Sequence, residues 1–354
     1  MWELWMRRAL ALAALAEGHT SPNPLVGAVV LDRDGRLVGE GFHSRAGAAH
    51  AEVGALRQAR DAARGGTLVV TLEPCCHHGR TPPCSEAVLR AGIRRVVIAL
   101  EDPDPRVDGG GIRLLREAGL EVISGVLREE ARQQNRAFLH RVRTGRPFGI
   151  LKWAMSLDGR TALPNGASQW ISGPLAREWV HRLRSGMDAV VVGGGTVRGD
   201  DPLLTSRGRR SPEPLRVVLS RSLDLSDQAQ LWDTAVAPTV VAHGPDADPQ
   251  RLPSGPEGLE LSACEPMQLM EALAERGCNQ VLWECGPELA AAAIRQGCVQ
   301  EIAAVVAPKL MGGRAARTPL GDLNFSAMNQ VLQGSWHQCE PLGHDWLLRW
   351  SIGT

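Results

Sequence analysis

Two short runs in the first quarter of the chain contain residue types that bind zinc and transfer protons. The first is His50-Ala51-Glu52, and the second covers residues 73–84 with the sequence EPCCHHGRTPPC. Together they supply an imidazole, two cysteine thiols and a carboxylate that does not have to bind metal. Three protein ligands with a fourth position for water are typical of a catalytic zinc site. We therefore predict one zinc ion bound by His50, Cys75 and Cys84. Glu52 would act beside it as the catalytic proton carrier.

Two other interpretations of these cysteines remain open. A structural zinc knot is normally closed by four ligands, and Cys76, His77 or His78 could supply the fourth. Alternatively, the cysteines could be unconnected core residues. Neither alternative requires a carboxylate two residues after the histidine, so Glu52 favours the catalytic site.

The elements expected around these residues place them at strand ends and helix starts. A helix at residues 48–63 would have His50 and Glu52 in its first turn, where the partial positive charge of the helix N-terminus keeps a carboxylate ionised. Cys75 would follow a strand at 67–72 and Cys84 would begin a helix at 84–91, positions that lower the pKa of a thiol. Further strands at 26–31, 37–41, 95–100 and 121–125 alternate in part with helices and predict a layered α/β domain.

Length, composition and charge limit the class of protein. The chain has 354 residues, enough for two domains of about 100–200 residues each. Its formal net charge is zero, which disfavours nucleic acid as a partner. No segment approaches the roughly 20 apolar residues of a membrane span. Helical spacing of Trp5, Ala9, Leu12 and Ala16 favours an amphipathic first helix over a signal peptide. The grouping of cysteines near His50 suggests metal binding in a reducing compartment. We therefore predict a cytoplasmic protein.

A run at residues 141–147 combines charge, glycine and proline and predicts a boundary between domains at 1–145 and 146–354. Beyond it, a strand at 148–155, a helix at 174–184 and a buried strand at 189–192 lead into a glycine-rich turn at 193–202. Such a turn can direct backbone N–H groups at a phosphate. The dinucleotide fingerprint G-x-G-x-x-G is absent, so this turn alone is weak evidence for a nucleotide site.

Several of these motifs resemble those of a known enzyme family. The order H-x-E, then P-C, then a second cysteine is that of zinc-dependent nucleobase deaminases, although eight residues rather than the usual two separate Cys75 from Cys84. The inserted run resembles the deaminase half of the bifunctional deaminase/reductases of riboflavin biosynthesis. The segment Pro22-Asn23-Pro24 and the pair Asp102-Pro103 are similar as well, and the block at 152–171 resembles the reductase half of that family.

The resemblance implies roles in the first domain. It implies a cytidine-deaminase-like fold in which zinc lowers the pKa of a bound water towards about 7 for attack on a pyrimidine carbon. Asn23, His43 and Arg80 match substrate-binding positions, and the guanidinium of Arg80 suits a phosphate. Asn23 could equally be a turn residue and His43 a surface histidine. Asp104 departs from the asparagine that is frequent there, and a carboxylate would repel a phosphate.

The resemblance also implies roles in the second domain, with a dihydrofolate-reductase-like α/β fold. NADPH contacts fall on Ala154, Trp170, Thr196, Asp200 and the run Gly286, Pro287, Glu288, Leu289, Ala290, Ala291 and Ala292, whose N–H groups would face the pyrophosphate. Substrate contacts fall on Ser168, Arg184, Leu204, Arg207 and Glu284. Arg184 could instead cap its helix. Ser220-Arg221 departs from the Asp-Ser that is frequent in the family, and the charge of Arg221 would suit pairing with the 2′-phosphate of NADPH.

These observations predict a bifunctional enzyme. It would use zinc to deaminate 2,5-diamino-6-(5-phosphoribosylamino)pyrimidin-4-one and NADPH to reduce the ribosyl group, giving 5-amino-6-(5-phosphoribitylamino)uracil. A deaminase of tRNA or free nucleosides is less consistent with the neutral charge and long second domain. A zinc-containing scaffold is less consistent with Glu52. The loss of one activity and assembly into a homo-oligomer both stay open.

Overall fold

The computed structural model describes residues 2–76, 82–104 and 109–353. They form two compact units, Met1–Gly145 and Arg146–Thr354. Within the described ranges, no helix combines the length and the apolar character needed to cross a bilayer. Each unit has its own sheet and its own hydrophobic core.

The first unit is a five-stranded sheet covered by helices on both faces. The strand order is β2-β1-β3-β4-β5, with β1 antiparallel to β2 and β3, and with β3, β4 and β5 parallel. The strands are β1 (Gly27–Leu31), β2 (Leu37–Phe42), β3 (Thr67–Leu72), β4 (Arg95–Leu100) and β5 (Glu121–Ser124). The helices are α1 (Trp2–Ala14), α2 (Ala51–Ala59), α3 (Cys84–Arg90), α4 (Gly110–Glu117), α5 (Arg128–Gln134) and α6 (Arg136–Thr144).

Alternation along the central strands divides the apolar side chains between two cores. Ala28 and Val30 of β1 pack with residues of α2, α3 and α4, whereas Val29 and Leu31 pack with α1, α5 and α6. Since successive side chains of a strand point to opposite faces, this burial on both sides explains the unbroken apolar runs of β1, β3 and β4. The layered α/β prediction is therefore confirmed for this unit.

The second unit is a mixed nine-stranded sheet with the order β10-β9-β8-β7-β11-β6-β12-β14-β13. The strands from β10 to β12 in this order are parallel, and β14 and β13 are antiparallel additions. The strands are β6 (Phe148–Ser156), β7 (Ala189–Gly193), β8 (Leu215–Leu219), β9 (Thr239–His243), β10 (Glu257–Glu260), β11 (Gln280–Trp283), β12 (Glu301–Ala307), β13 (Gly334–Leu342) and β14 (Asp345–Ile352). The helices are α7 (Pro174–Ser185), α8 (Gly194–Asp200), α9 (Pro266–Glu275) and α10 (Pro287–Arg295).

Two local predictions are wrong. The helix expected at 48–63 begins only at Ala51, because His50 is extended and precedes it, and it ends in a 3-10 turn at 60–63. The glycine-rich run at 193–202 is a short helix, α8, rather than a turn, because Gly193 is extended and its successors take up helical geometry.

Glycines in β2 let α2 approach the sheet closely. A methyl group at Gly41 would overlap the carbonyl oxygen of Ala51, and one at Gly39 would overlap that of Ala55. Both carbonyls belong to α2, the helix that carries Glu52. The position of Glu52 relative to the sheet therefore depends on the absence of side chains from β2.

We expect Gly41→Ala to destabilise the protein by about 1–3 kcal/mol, as overpacking of a core does, and to lower its zinc content by displacing α2. Thermal unfolding and metal analysis of the purified protein would measure both effects. Gly54→Ala is the matched control. Gly54 belongs to α2 itself, and a methyl group there would come no closer than 3.5 Å to Gly41. An unchanged melting temperature and zinc content in Gly41→Ala would contradict the packing argument.

Candidate active sites

Three side chains of the first unit converge on a point where a metal ion fits. His50 lies immediately before α2, Cys75 follows β3, and Cys84 is the first residue of α3. The His50 Nδ1 atom is 3.1 Å from Cys84 Sγ and 3.7 Å from Cys75 Sγ, and the three donor atoms lie within 4.8 Å of one another. Tetrahedral zinc bonds of about 2.0–2.3 Å place neighbouring ligand atoms at similar separations. This donor set of one nitrogen and two sulfurs therefore fits zinc.

Backbone contacts hold the two cysteines together. The Cys84 N–H donates to Cys75 Sγ at 3.3 Å, and the Ser85 N–H donates to the Cys75 carbonyl at 3.2 Å. Buried Glu73 accepts from the N–H groups of Asp102, Gly109 and Ile112 at 3.0–3.3 Å. Because Glu73 is two residues before Cys75, these bonds fix the end of β3 against the start of α4.

The protonation of these groups follows from their mutual contacts. The Cys84 thiol beside Cys75 lowers the pKa of Cys75 to about 4, and the same contact raises the pKa of Cys84. The two sulfurs thus share one proton. Zinc binding displaces such protons from its ligands. Burial raises the pKa of Glu52 to about 7, and its side chain is 3% exposed.

No described residue adds a fourth ligand to this group. Among the residues described, the possible metal-binding groups reduce to His50, Cys75 and Cys84. Cys76 is directed towards Gly110 instead. His77, His78 and the predicted phosphate ligand Arg80 lie outside the described residues. An open three-ligand site with a buried carboxylate beside it is the arrangement of a catalytic centre.

Asn23 and His43 are joined to each other beside this centre. The Asn23 amide Nδ2 donates to His43 Nε2 at 3.0 Å, so that Nδ1 of the neutral ring carries the proton and donates to the Ala49 carbonyl at 3.2 Å. Burial lowers the pKa of His43, consistent with a neutral ring. The His43 ring is edge-on to the His50 ring with centroids 5.5 Å apart. His43 is 3% exposed, so the interpretation as a surface histidine is wrong.

In the second unit, a buried ion cluster lies where β11 ends beside the middle of the parallel strand β6. The Arg184 guanidinium of α7 binds both carboxylate oxygens of Glu284, at 2.6 and 3.0 Å, and donates to the Thr205 carbonyl. Lys152 Nζ of β6 is 3.6 Å from Glu284 Oε2. Burial would raise the pKa of Glu284, but Arg184 and Lys152 outweigh burial and lower it to about 2. Burial lowers the pKa of Lys152, despite the attraction of Glu284.

Sequence reasoning missed Lys152 and treated Arg184 and Glu284 as independent contacts. The alternative interpretation of Arg184 as a helix cap is wrong, because its side chain reaches Glu284. The sequence did contain a signal for Lys152. It is one of two lysines in a chain that has 37 arginines, and it interrupts an apolar strand. Arginine keeps its proton at any physiological pH, whereas a buried lysine can release one.

Several predicted reductase contacts are held by neighbouring residues of the second unit. Ser168 donates to Asp200 at 3.2 Å, which brings a predicted substrate contact and a predicted NADPH contact together. The exposed Trp170 ring lies 4.7 Å from the Arg177 guanidinium, and Lys309 donates to its carbonyl at 2.7 Å. Leu204 and Arg207 both have a positive φ, and Glu213 fixes the loop between them by accepting from the Ser206 and Gly208 N–H groups.

The start of α10 offers fewer backbone N–H donors to a pyrophosphate than the sequence predicted. The first N–H bonded within the helix is that of Ala290, which donates to the Gly286 carbonyl. Only the N–H groups of Gly286, Glu288 and Leu289 precede it, since Pro287 has none. Ala290 and Ala291 are buried, and Ala292 follows them along the helix. Any pyrophosphate contact through N–H groups is therefore confined to the first turn.

The remaining predicted positions lie at the same edge of the sheet. Ala154 lies near the carboxyl end of β6 and Thr196 in α8, which directly follows β7. Ligands of parallel α/β sheets bind outside the carboxyl ends of the strands. Arg221, which follows β8, is engaged by Glu265 at 2.6 Å, so its charge is already matched.

Comparison with known proteins covers almost the whole chain. Residues 147–348 match the family model for the RibD C-terminal domain, and residues 2–100 match that for the cytidine and deoxycytidylate deaminase zinc-binding region. The riboflavin biosynthesis protein RibD of Synechocystis is 51% identical over 347 residues, covering 97% of this chain and 94% of that protein.

Solved structures agree in fold as well as in sequence. Form 1 of RibD from Acinetobacter baumannii is 38% identical, with a TM-score of 0.89 over 100% of this chain and 99% of that chain. A diaminohydroxyphosphoribosylaminopyrimidine deaminase/5-amino-6-(5-phosphoribosylamino)uracil reductase from Thermotoga maritima is 35% identical, with a TM-score of 0.90 over 99% of each chain. The predicted order, a zinc deaminase domain followed by an NADPH-dependent reductase domain, is confirmed. The chain belongs to the RibD family of bifunctional deaminase/reductases of riboflavin biosynthesis.

Proposed function

We propose that the two reactions of the family are divided between residues 1–145, for deamination, and residues 146–354, for reduction. The observation that carries the proposal is the convergence of His50, Cys75 and Cys84 beside buried Glu52. The enzyme acts on a small-molecule substrate, a phosphoribosylated pyrimidine.

In the first unit, His50, Cys75 and Cys84 hold one zinc ion. When bound, zinc activates a water molecule for attack on the amino-bearing carbon of the pyrimidine. Glu52 accepts a proton from this water and delivers it to the leaving amine, which departs as ammonia. Asn23 contacts the pyrimidine, and buried His43 orients the Asn23 amide through their hydrogen bond. Arg80 binds the substrate phosphate.

In the second unit, Ala154, Trp170, Thr196, Asp200 and the first turn of α10 would hold NADPH. When bound, NADPH supplies the hydride that reduces the first carbon of the opened ribose. Ser168, Leu204 and Arg207 hold the phosphoribosyl group near Lys152. The Lys152 ammonium protonates the ribose ring oxygen as the ring opens, and Glu284 keeps Lys152 directed at it. Arg184 acts by fixing Glu284 through two hydrogen bonds.

We further propose a cytoplasmic protein without nucleic-acid or membrane partners. A centre built on thiolates favours a reducing compartment, and the formal net charge of zero offers little attraction for polyanions. The exposed strand β13 ends the larger sheet and leaves an edge at which a homo-oligomer can form.

The direct test supplies the purified zinc-loaded protein with the phosphoribosyl-diaminopyrimidinone and NADPH. Ammonia release together with NADPH oxidation is expected. A chelator that removes zinc should stop ammonia release, while reduction of added deaminated intermediate should continue. Loss of both activities on chelation would contradict the division between the units.

Glu52→Gln should lower the rate of ammonia release by about 10²–10⁴-fold, the usual contribution of a positioned proton carrier. Zinc content and NADPH oxidation with the deaminated intermediate should stay at the wild-type level, because glutamine preserves the shape of the buried side chain. Glu86→Gln is the matched control, since Glu86 also lies two residues after a zinc ligand but is 41% exposed. Loss of zinc from Glu52→Gln would instead make Glu52 part of the metal site.

Lys152→Met should lower NADPH oxidation by about 10²-fold or more, because the ribose loses its proton donor. Lys152→Arg keeps the positive charge beside Glu284 but binds its proton too tightly to donate, so it should be similarly slow. NADPH affinity, followed by fluorescence, and ammonia release should be unchanged in both variants. Wild-type turnover by Lys152→Arg would assign Lys152 a purely electrostatic role.

A further inference from the structure

The segment that carries Asn23 has no helix or strand of its own. Between α1 and β1, residues 24–26 lie outside any regular element. The Asn23 N–H donates to the Thr20 carbonyl at 2.8 Å in a local turn, and Pro24, which follows, has no N–H to donate. The direction of the Asn23 side chain therefore depends on how the next residues are held against the rest of the first unit.

Two hydrogen bonds to neighbouring strands fix the far end of this segment. The Val26 carbonyl accepts from the His43 N–H at 2.9 Å, which extends the pairing of β1 with β2. The Gly27 N–H donates to Thr71 Oγ1 of β3 at 3.1 Å. These bonds fix the chain where β1 begins, and they do not involve Leu25, which precedes both residues.

Leu25 is held by the side chain of Asn135. The Leu25 N–H donates to Asn135 Oδ1 at 2.8 Å, and Asn135 Nδ2 donates to the Leu25 carbonyl at 2.9 Å. A carboxamide has an acceptor and a donor side by side, so it can bind both backbone groups of one residue as a neighbouring strand would. A displacement of Leu25 relative to this amide would therefore break two hydrogen bonds.

The backbone of Asn135 is fixed on both sides. Asn135 lies between the end of α5 at Gln134 and the start of α6 at Arg136, and it is 2% exposed. Its N–H donates to the Ala131 carbonyl at 3.0 Å, and its carbonyl accepts from the Leu139 N–H at 2.9 Å. The amide therefore extends from a backbone that both helices hold, and it offers a bonding partner at a constant position.

We propose that Asn135 is a positioning residue for deamination, which fixes Leu25 and thereby orients Asn23 towards the pyrimidine. The inference rests on the proposed contact between Asn23 and the pyrimidine. His43 holds the Asn23 side chain, whereas Asn135 holds the main chain two residues further on. Asn135 lies beyond residues 2–100, which match the zinc-binding region, so the deaminase site depends on a part of the chain outside that match.

Steady-state kinetics of the full-length, zinc-loaded protein, followed by ammonia release, test this role. Asn135→Asp keeps the size of the side chain but places a carboxylate oxygen against the Leu25 carbonyl, and Asn135→Leu removes both hydrogen bonds. Each variant should raise KM for the phosphoribosyl-diaminopyrimidinone about three- to tenfold. The kcat value should stay within about twofold, because the zinc ligands and Glu52 are untouched. Reduction of added deaminated intermediate should be unchanged.

Gln134→Glu is the matched control. The Gln134 Nε2 atom donates to the Leu10 carbonyl of α1 at 2.9 Å, so this variant makes the same chemical change at the neighbouring residue without touching Leu25. It should lower the melting temperature, as the Asn135 variants do, and leave KM at the wild-type value. A general loss of stability is thereby separated from a loss of substrate binding.

Asn23→Ala separates this inference from the proposed function. It should raise KM about tenfold, and adding Asn135→Asp should raise KM no further, since Asn135 acts through Asn23. If Asn23→Ala leaves KM unchanged, the contact proposed for Asn23 is wrong and the inference fails with it. If Asn23→Ala raises KM but both Asn135 variants, folded by circular dichroism, keep the wild-type KM, the role of Asn135 is overturned. Effects of the two substitutions that multiply in the double variant would overturn it as well.

Discussion

Buried charge has to be matched by opposite charge or by a shared proton, and both sites of this protein are built around that requirement. Glu284 is tolerated inside the second unit because Arg184 and Lys152 match it. Cys75 can be a thiolate because Cys84 and His50 donate towards it. The groups that match Glu284 come from elements that are distant in sequence, so this charge requirement also fixes how those elements pack.

The zinc donors and Glu52 could be predicted from sequence because a metal site needs specific residue types at nearly local spacing. Strand β3 and the start of α3 were predicted at their observed positions for a related reason, since unbroken apolar runs and a proline before a helix are local signals. The pairing of Arg184 with Glu284 could not be predicted, because the two residues are 100 positions apart. Only the parallel arrangement of β6, β11 and β7 brings them together.

Errors arose where neighbouring structure overrode a local preference. Glycines at 193–195 indicate a turn, yet α8 forms there because its residues follow a buried strand and Val197 packs in the core. His50 was expected within a helix, but an extended backbone at this residue directs its ring towards the two cysteines. Lys152 was overlooked because charge in a strand is usually solvent-facing, whereas here it faces a carboxylate.

The hydrogen bonds that join Cys75 to Cys84 and Ser85 affect which sequence changes the deaminase half can tolerate during evolution. They fix both ends of the segment between the ligands, so the metal geometry does not depend on what lies between them. Closing a loop of eight residues rather than two costs only about 1.2 kcal/mol of chain entropy. Insertions there can therefore accumulate and be selected for new substrates without rebuilding the metal centre, which makes this segment a natural position for grafting altered recognition loops.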